Sequence, residues 1–503
     1  MKSDLSTIPP RWCAALVLLA IVPLLYPAVP PLTDLPGHMS RFMVQMDGGR
    51  SAGIARWYTF EWNLLPNLGT DLIAWVLEPL IGLEPTMKAI GLLIVGLQVA
   101  GYLLLSRAAH GRVMVTALFA IPLALGNPFQ YGFINFVLGT ALATLALAWW
   151  MSPSMAARPR LRWAVFAIVA SVIWVCHLAA WALLCVLVGC CELAARYERS
   201  GRIGWSLLTG FLASTCLLVP QVLSLLLPQS GEHLPSGLWF VVPVKLYHLA
   251  NVLADRWEGW DYGCAVALAV VIGVLWRSRA VALHKGLALA SVVLLALYFV
   301  MPGVAYGSAY ADMRLTPTIL ALALICARPR SEMSPRARQV LAVAAIVFML
   351  ARLGGNTVSM AMWDRQIRQE TAVVDAVPRG SQLVTFISQP CRAQWLQNRI
   401  RDTHAASYAL TRRHAFANDQ WQMTGGQLLR IHNPVTGPFQ DAETGSMVGE
   451  QCQGFNQLLR AVKNVPPEVP LLWIVWHSPE MPLPGWREAA RSHNSVLYRR
   501  QTP

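Results

Sequence analysis

Charge is what this sequence has too little of. Only 13% of its 503 residues are Asp, Glu, Lys or Arg, about half of the roughly 25% that a soluble domain carries. One large soluble globule is therefore excluded, since nothing would cover its surface. Acids are scarcer than bases, 26 against 40, for a formal net charge of +14. There is no CxxC pair and no Cys/His spacing of the zinc-ligand kind, which argues against a structural zinc site. No internal repeat or low-complexity tract stands out, and no basic-aromatic stripe forms a nucleic-acid platform, so no nucleic-acid partner is expected. The composition also excludes a disordered chain, a collagen-like fibre and a small disulfide-stapled domain.

What is present is apolar residues, 55% of the chain, with a mean hydropathy of +0.46. They fall into spans at 12–29, 87–106, 113–125, 133–151, 163–176, 177–196, 203–227, 261–276, 286–301, 315–327 and 340–353. The expected fold is thus an all-α polytopic membrane protein with about 11 transmembrane helices, some shorter than the ~20 residues a perpendicular crossing needs. The first span is followed by Pro-Ala-Val-Pro-Pro rather than a small-residue cleavage site, so it is expected to be retained. Residues 71–83 (DLIAWVLEPLIGL) are too short to span and read as an interfacial helix.

The basic residues decide orientation, because each short loop votes independently. With Lys2 and Arg11 in the cytoplasm, the same side receives Arg107 and Arg112, then Arg158, Arg160 and Arg162, then Arg196, Arg199 and Arg202, then Arg277, Arg279 and Lys285, and finally Arg328, Arg330, Arg336 and Arg338. The opposite loops are poorer in Lys and Arg. Two domains follow: a transmembrane domain over 1–356, with a first extracytoplasmic loop at 30–70, and a small extracytoplasmic α/β domain over 357–503. Strand-like runs in the latter lie at 382–388, 471–476 and 495–498, with helix-like segments around 405–411 and 453–465. Eight cysteines lie inside apolar spans, where they act as small hydrophobes. Cys391 and Cys452 lie in the polar tail and are the two that can pair outside the cytoplasm.

Mid-span ionisable groups are nearly absent, His177 and Arg352 being the notable cases. Such groups mark ion-coupled pumps, so their scarcity favours chemistry at the outer surface over passage. The first loop holds Thr33-Asp34-Leu35-Pro36-Gly37-His38-Met39-Ser40-Arg41. If Pro36 opens a helix, Asp34 stands at its cap. It is then either a capping carboxylate or a general base, with His38 and Arg41 orienting it or holding phosphate. Asp312 and Arg314 begin a span as an ion pair, or Arg314 binds phosphate. The segment 238–260 carries Lys245, Tyr247, His248 and Arg256 among Trp239 and Trp257. These aromatics are membrane anchors, or form a lid over a sugar whose lipid phosphate meets Lys245 or Arg256. His404 and the pair Arg412–Arg413 read as a solvated surface, and His177 as a satisfied histidine at a turn.

An acid at the start of a long outer loop, an interfacial helix, about eleven spans and a soluble C-terminal domain resemble the GT-C superfamily of integral-membrane glycosyltransferases. In particular, Asp34 to Arg41 resembles a bacterial branch with a D-x-P-x-H-x-x-R loop. The resemblance covers the layout of the whole chain, but at residue level only Asp34–Arg41 and neighbours such as 62–71. It implies transfer of a sugar from a polyprenyl-phosphate donor to a lipid, glycan or protein acceptor at the periplasmic face of a bacterial inner membrane, with Asp34 as the base. Many members carry adjacent acids here, whereas Leu35 follows Asp34 and the next acids are Asp47 and Glu61. Metal-independent transfer is therefore expected, with no cofactor required. The alternatives are a transporter or flippase of lipid-linked glycans, which would want polar mid-span positions, and a non-enzymatic assembly protein, which would leave Asp34 only a cap.

Overall fold

The computed structural model describes residues 6–226, 235–391, 401–422, 426–440, 445–452 and 456–501. Residues 227–234 and 453–455, at the edges of expected elements, lie outside them. Six helices among the described residues are long and apolar enough to cross a membrane: Leu83–His110, Pro159–Cys176, Leu178–Ser200, Ile203–Ser224, Glu258–Arg277 and Pro335–Ala376. Four shorter apolar helices, Pro10–Leu24, Ile134–Trp150, Lys285–Val300 and Met313–Ile325, occupy further stretches read as spans. Residues 113–125 are mostly the 3-10 helix Val115–Leu125, with Pro122 inside it. The chain is thus a helix-rich membrane protein, with six helices of crossing length among the described residues.

The chain divides into two compact units. The first comprises Met1–Leu25, Pro66–Thr70 and Ile90–Val358, and the second Tyr26–Leu65, Asp71–Ala89 and Ser359–Pro503. Sequence puts a boundary at 356/357 and the first loop with the membrane domain. Contacts instead group the first loop and residues 71–89 with the C-terminal region: the first loop shares a core with the tail, and Asp71 and Glu84 pair with Arg41 and Arg412.

In the first unit, Leu178–Ser200 packs against Ile134–Trp150, Ile203–Ser214 and Lys285–Val300. A Cβ on Gly139 would meet the Ala180 Cβ at 2.6 Å, so this helix pair approaches only because one side chain is missing. His177 breaks the long apolar stretch: its backbone is extended and its Nδ1 accepts from Ala179 N at 3.1 Å, capping Leu178–Ser200. Buried charges are matched. Arg352 Nη1 meets Asp261 Oδ1 at 2.6 Å and Lys245 Nζ meets Asp312 Oδ2 at 2.6 Å. Glu192 accepts from Trp150, Arg162 and Arg196.

The second unit contains a five-stranded mixed sheet. Its strands are β1 (Leu383–Gln389), β2 (Ser446–Val448), β3 (Leu471–Trp476), β4 (Trp486–Ser492) and β5 (Ser495–Arg500), in the order β2-β1-β3-β5-β4. β1 is parallel to β2 and β3, while β5 is antiparallel to β3 and β4. β1 (LVTFISQ) and β3 (LLWIVW) are buried along their whole length, and a strand covered on both faces reads as a continuous apolar run. β4 (WREAARS) is mostly exposed. It is a charged edge, which hides it from a hydrophobic pattern. Helix Gln457–Lys463 lays Leu458, Ala461 and Val462 on this core. A second core joins Val44, Ile54, Trp57 and Tyr58 of the first loop to Ala406, Leu410, Phe416 and Leu429 of the tail, and Tyr58–Phe60 pairs antiparallel with Leu429–Ile431. Cys391 and Cys452 are bridged, with Cα atoms 5.9 Å apart.

The helix Gly69–Ile81 contains most of the expected interfacial segment. Leu72, Trp75, Val76 and Leu80 are exposed along one side, while Asp71 and Ala74 are buried on the other. That is the amphipathic pattern of a helix lying in a membrane surface.

Candidate functional site

The site is built within the second unit, around the helix Leu35–Asp47. Pro36 sits in its first turn and Asp34 at its N-cap, yet the Asp34 side chain makes no capping hydrogen bond. Capping therefore does not account for the carboxylate. Its Oδ1 lies 3.8 Å from Nε2 of His404, the side chains being 18% and 5% exposed. His404 is thus a buried neighbour of Asp34 and not part of a solvated surface, a correction that sequence reading had no means to make between residues so far apart in the chain. On the far side of the ring, Nδ1 is 2.7 Å from the Asp419 carbonyl oxygen and 3.9 Å from its Oδ2.

These contacts assign the imidazole tautomer. A carbonyl oxygen only accepts, so the His404 Nδ1 carries the hydrogen, and in the neutral ring Nε2 presents a lone pair toward Asp34. Two acceptors then face one position at 3.8 Å, beyond direct hydrogen-bond distance. A hydroxyl entering there meets a ready proton acceptor, whose imidazole is oriented from behind as in other acid–base sites.

The support is dense. Asp419 Oδ2 accepts from Ser407 N at 2.7 Å and Ser407 Oγ at 2.9 Å, and Gln420 Nε2 reaches Asp419 Oδ1 at 3.2 Å. Ser40 Oγ lies 3.0 Å from Ser407 Oγ and accepts from Gln420 Nε2 at 2.5 Å, so the helix carrying Asp34 and Ser407 of Ser407–Arg413 share one network. Burial raises the Asp419 carboxyl above its ordinary range, against the lowering effect of His404 and the Ser407 and Gln420 donors. The Trp421 ring lies tilted against both histidines, its centroid 4.2 Å from that of His404 and 5.6 Å from that of His38. Gly37 makes this possible: a Cβ there would come within 2.7 Å of Trp421 and 2.9 Å of His404.

The other expected site residues separate. Arg41 is buried and pairs with Asp71 at 3.0 Å, its Nη2 lying 3.4 Å from His38 Nδ1. His38 therefore stands in the wall of the site, while Arg41 anchors the helix Leu35–Asp47 to Asp71, and Gln45 adds a bond to the Asp71 carbonyl at 3.3 Å. Lys245 is corrected as a phosphate ligand. Its ammonium is 1% exposed and donates to Asp312, to Tyr298 O and to Met301 O, all within 2.8 Å, so its three N–H bonds are used.

Asp312 pairs with this lysine and caps Met313–Leu315, accepting from Met313 N at 2.7 Å. Arg314 donates to Ser308 Oγ at 2.8 Å and Ala309 O, approaches His177 at 3.4 Å, and lies 4.1 Å over the Phe133 ring. It also lines a small cavity of about 20 Å³ with Gln98, Tyr102 and Thr140. Arg256 is half-buried and its backbone N–H reaches Asp261 at 3.1 Å. Trp239, Tyr247 and Trp257 are exposed, Trp239 beside Phe240 and Tyr247 beside His248.

Sequence reading missed Asp71, Asp419 and Trp421 as partners of the Asp34 loop. Nothing in a single chain marks them, since each is a common residue type without a motif. Comparison with protein-family models, with curated proteins and with solved structures yields no match.

Proposed function

We propose that this protein is a membrane glycosyltransferase of the GT-C type, which moves a sugar from a polyprenyl-phosphate donor to an acceptor hydroxyl at the periplasmic face of a bacterial inner membrane. The observation that carries this reading is the Asp34–His404 pair: a carboxylate released from capping, 3.8 Å from an imidazole nitrogen whose opposite side is held by Asp419.

In the reaction, the acceptor hydroxyl oxygen attacks the anomeric carbon and its proton passes to Asp34. The carbon–oxygen bond to the donor phosphate breaks, and the electron pair leaves on polyprenyl phosphate. That leaving group is already a stable anion, so little acid catalysis is asked of the protein. His404 stands beside Asp34, His38 and Trp421 wall the position, and Arg41 with Asp71 holds the helix. Lys245, closed by its three acceptors, is not a ligand for the donor phosphate. The exposed apolar side of Gly69–Ile81 suits a unit that works against a lipid surface.

The test is Asp34→Asn in membranes supplied with polyprenyl-phosphate sugar, read as release of polyprenyl phosphate. The amide keeps the shape and removes the base, so turnover is expected to fall by roughly 10²–10⁴-fold while the protein inserts and accumulates normally. Undiminished turnover in that variant overturns the reading.

A further inference from the structure

Outside that site, one group of side chains has metal-ligand composition. Glu370, Asp402 and His477 each place a ligand atom within 4.8 Å of the others. They come from three separate segments of the second unit: the end of the helix Pro335–Thr371, the loop before Ser407–Arg413, and the residue following β3. Glu370 is 1% exposed and Asp402 5%, while the His477 side chain is 23% exposed and opens the group to solvent.

A second observation points to a missing cation. Glu370 Oε1 accepts from Gln366 Nε2 at 2.9 Å and Asn494 Nδ2 at 3.2 Å, yet its Oε2 is buried with no hydrogen-bond partner. Buried polar atoms are nearly always satisfied, and an exception asks for a bound ion or another explanation. A divalent ion facing a neutral imidazole and two carboxylates would leave no net charge to bury.

We propose that Glu370, Asp402 and His477 form a zinc site, in which the ion takes the place of the proton now bridging His477 Nε2 and Asp402 Oδ2 at 2.6 Å. One nitrogen and two carboxylate oxygens are a ligand set that zinc accepts, with a fourth position left for water. Gln366 and Asn494 orient Glu370 through its other oxygen, the role that outer residues play around metal ligands. Because the three ligands lie on distant segments, the ion would pin the end of the helix Pro335–Thr371 to the edge of β3 and to the loop carrying Asp402. The inference is independent of the transferase reading, since no step at Asp34 passes through it.

The experiment uses the full-length protein in detergent, stripped with EDTA and titrated with ZnCl2. Bound zinc is counted by mass spectrometry, and unfolding is followed thermally. One tightly bound zinc per chain and a zinc-dependent rise in Tm are expected. His477→Gln and Glu370→Gln are each expected to weaken binding by at least 100-fold, while Asp34→Asn leaves it unchanged. His477 is partly exposed, so its variant tests the site even if Glu370→Gln fails to fold. No zinc at equimolar concentration, or undiminished binding in His477→Gln, overturns the proposal. Preference for Mn2+ or Ca2+ over zinc in the same titration overturns the assignment of the metal.

Discussion

The two units treat buried charge differently. In the first, Lys245 meets Asp312, Arg352 meets Asp261, and Glu192 is held by Arg162, Arg196 and Trp150. Lys245 has no donor left over, and Arg352 adds a bond to Leu253 O at 2.8 Å, with only its Nε unmatched. In the second, Arg41 closes on Asp71 in the same way, but a carboxylate also faces an imidazole at 3.8 Å and Glu370 keeps Oε2 without a hydrogen-bond partner. An apolar surrounding tolerates charges only as closed pairs, so the helical unit neutralises its own. Where polar groups are left incompletely matched inside a fold, a ligand, a proton or an ion can complete them. The difference therefore separates structural charge from chemical charge, and substitutions can sharpen or break the distinction.

The widest contrast is between Asp34→Asn and Lys245→Met. The first is expected to abolish turnover with normal accumulation. The second is expected to lower accumulation, because it strands Asp312, with no change in donor KM for the protein that does fold. A raised donor KM in Lys245→Met would restore this lysine to the phosphate site and break the comparison.

Next is the pair Arg352–Asp261. Arg352→Met alone leaves a buried carboxylate and is expected to cost about 3–5 kcal/mol, whereas Arg352→Met with Asp261→Leu is expected to recover most of it. Thermal unfolding of the two variants in the same detergent checks this. Equal loss in both would mean that the pair does more than neutralise itself.

The disulfide follows in size. It bridges residues 61 apart in sequence, and closing such a loop is worth about 4 kcal/mol in the chain-entropy account. Reduction, or Cys391→Ser with Cys452→Ser, is expected to lower the Tm of the second unit and leave the helical unit's transition in place. A single shared shift would show that the two units unfold together.

The smallest effect concerns Asp419. Burial raises its carboxyl in the folded state, so the native form holds this proton longer than the unfolded chain, whose ordinary value is about 3.9. The resulting contribution is present at low pH and is lost as pH rises through the raised value. Asp419→Asn cannot ionise and is expected to flatten that part of the Tm–pH curve. An unchanged slope would place the dependence on another group.

Much of the architecture was legible from residue type. Apolar spans, the break at His177, the helix opened by Pro36 and the buried strands 383–389 and 471–476 all follow from hydrophobic period and backbone chemistry, because these act within a few residues. β4 was not legible, since an exposed edge strand such as WREAARS carries no apolar alternation. Length in an apolar run does not ensure a continuous α-helix, as 113–125 illustrates with Pro122 in a 3-10 segment. Asp34 was singled out by its neighbours Pro36, His38 and Arg41, whereas its partner His404 was read as surface.

By itself, then, the chain determined a membrane protein rich in helix, the acid at the head of the first loop, and two tail cysteines able to pair. Only the tertiary structure decided that the first loop packs with the tail, that Arg41 belongs to Asp71 and Lys245 to Asp312, and that His404 stands beside Asp34. The physical reason is range. Hydrophobicity and turn propensity are summed locally along the chain, but hydrogen bonds and ion pairs depend on which distant segments the packed core brings within 3 to 4 Å.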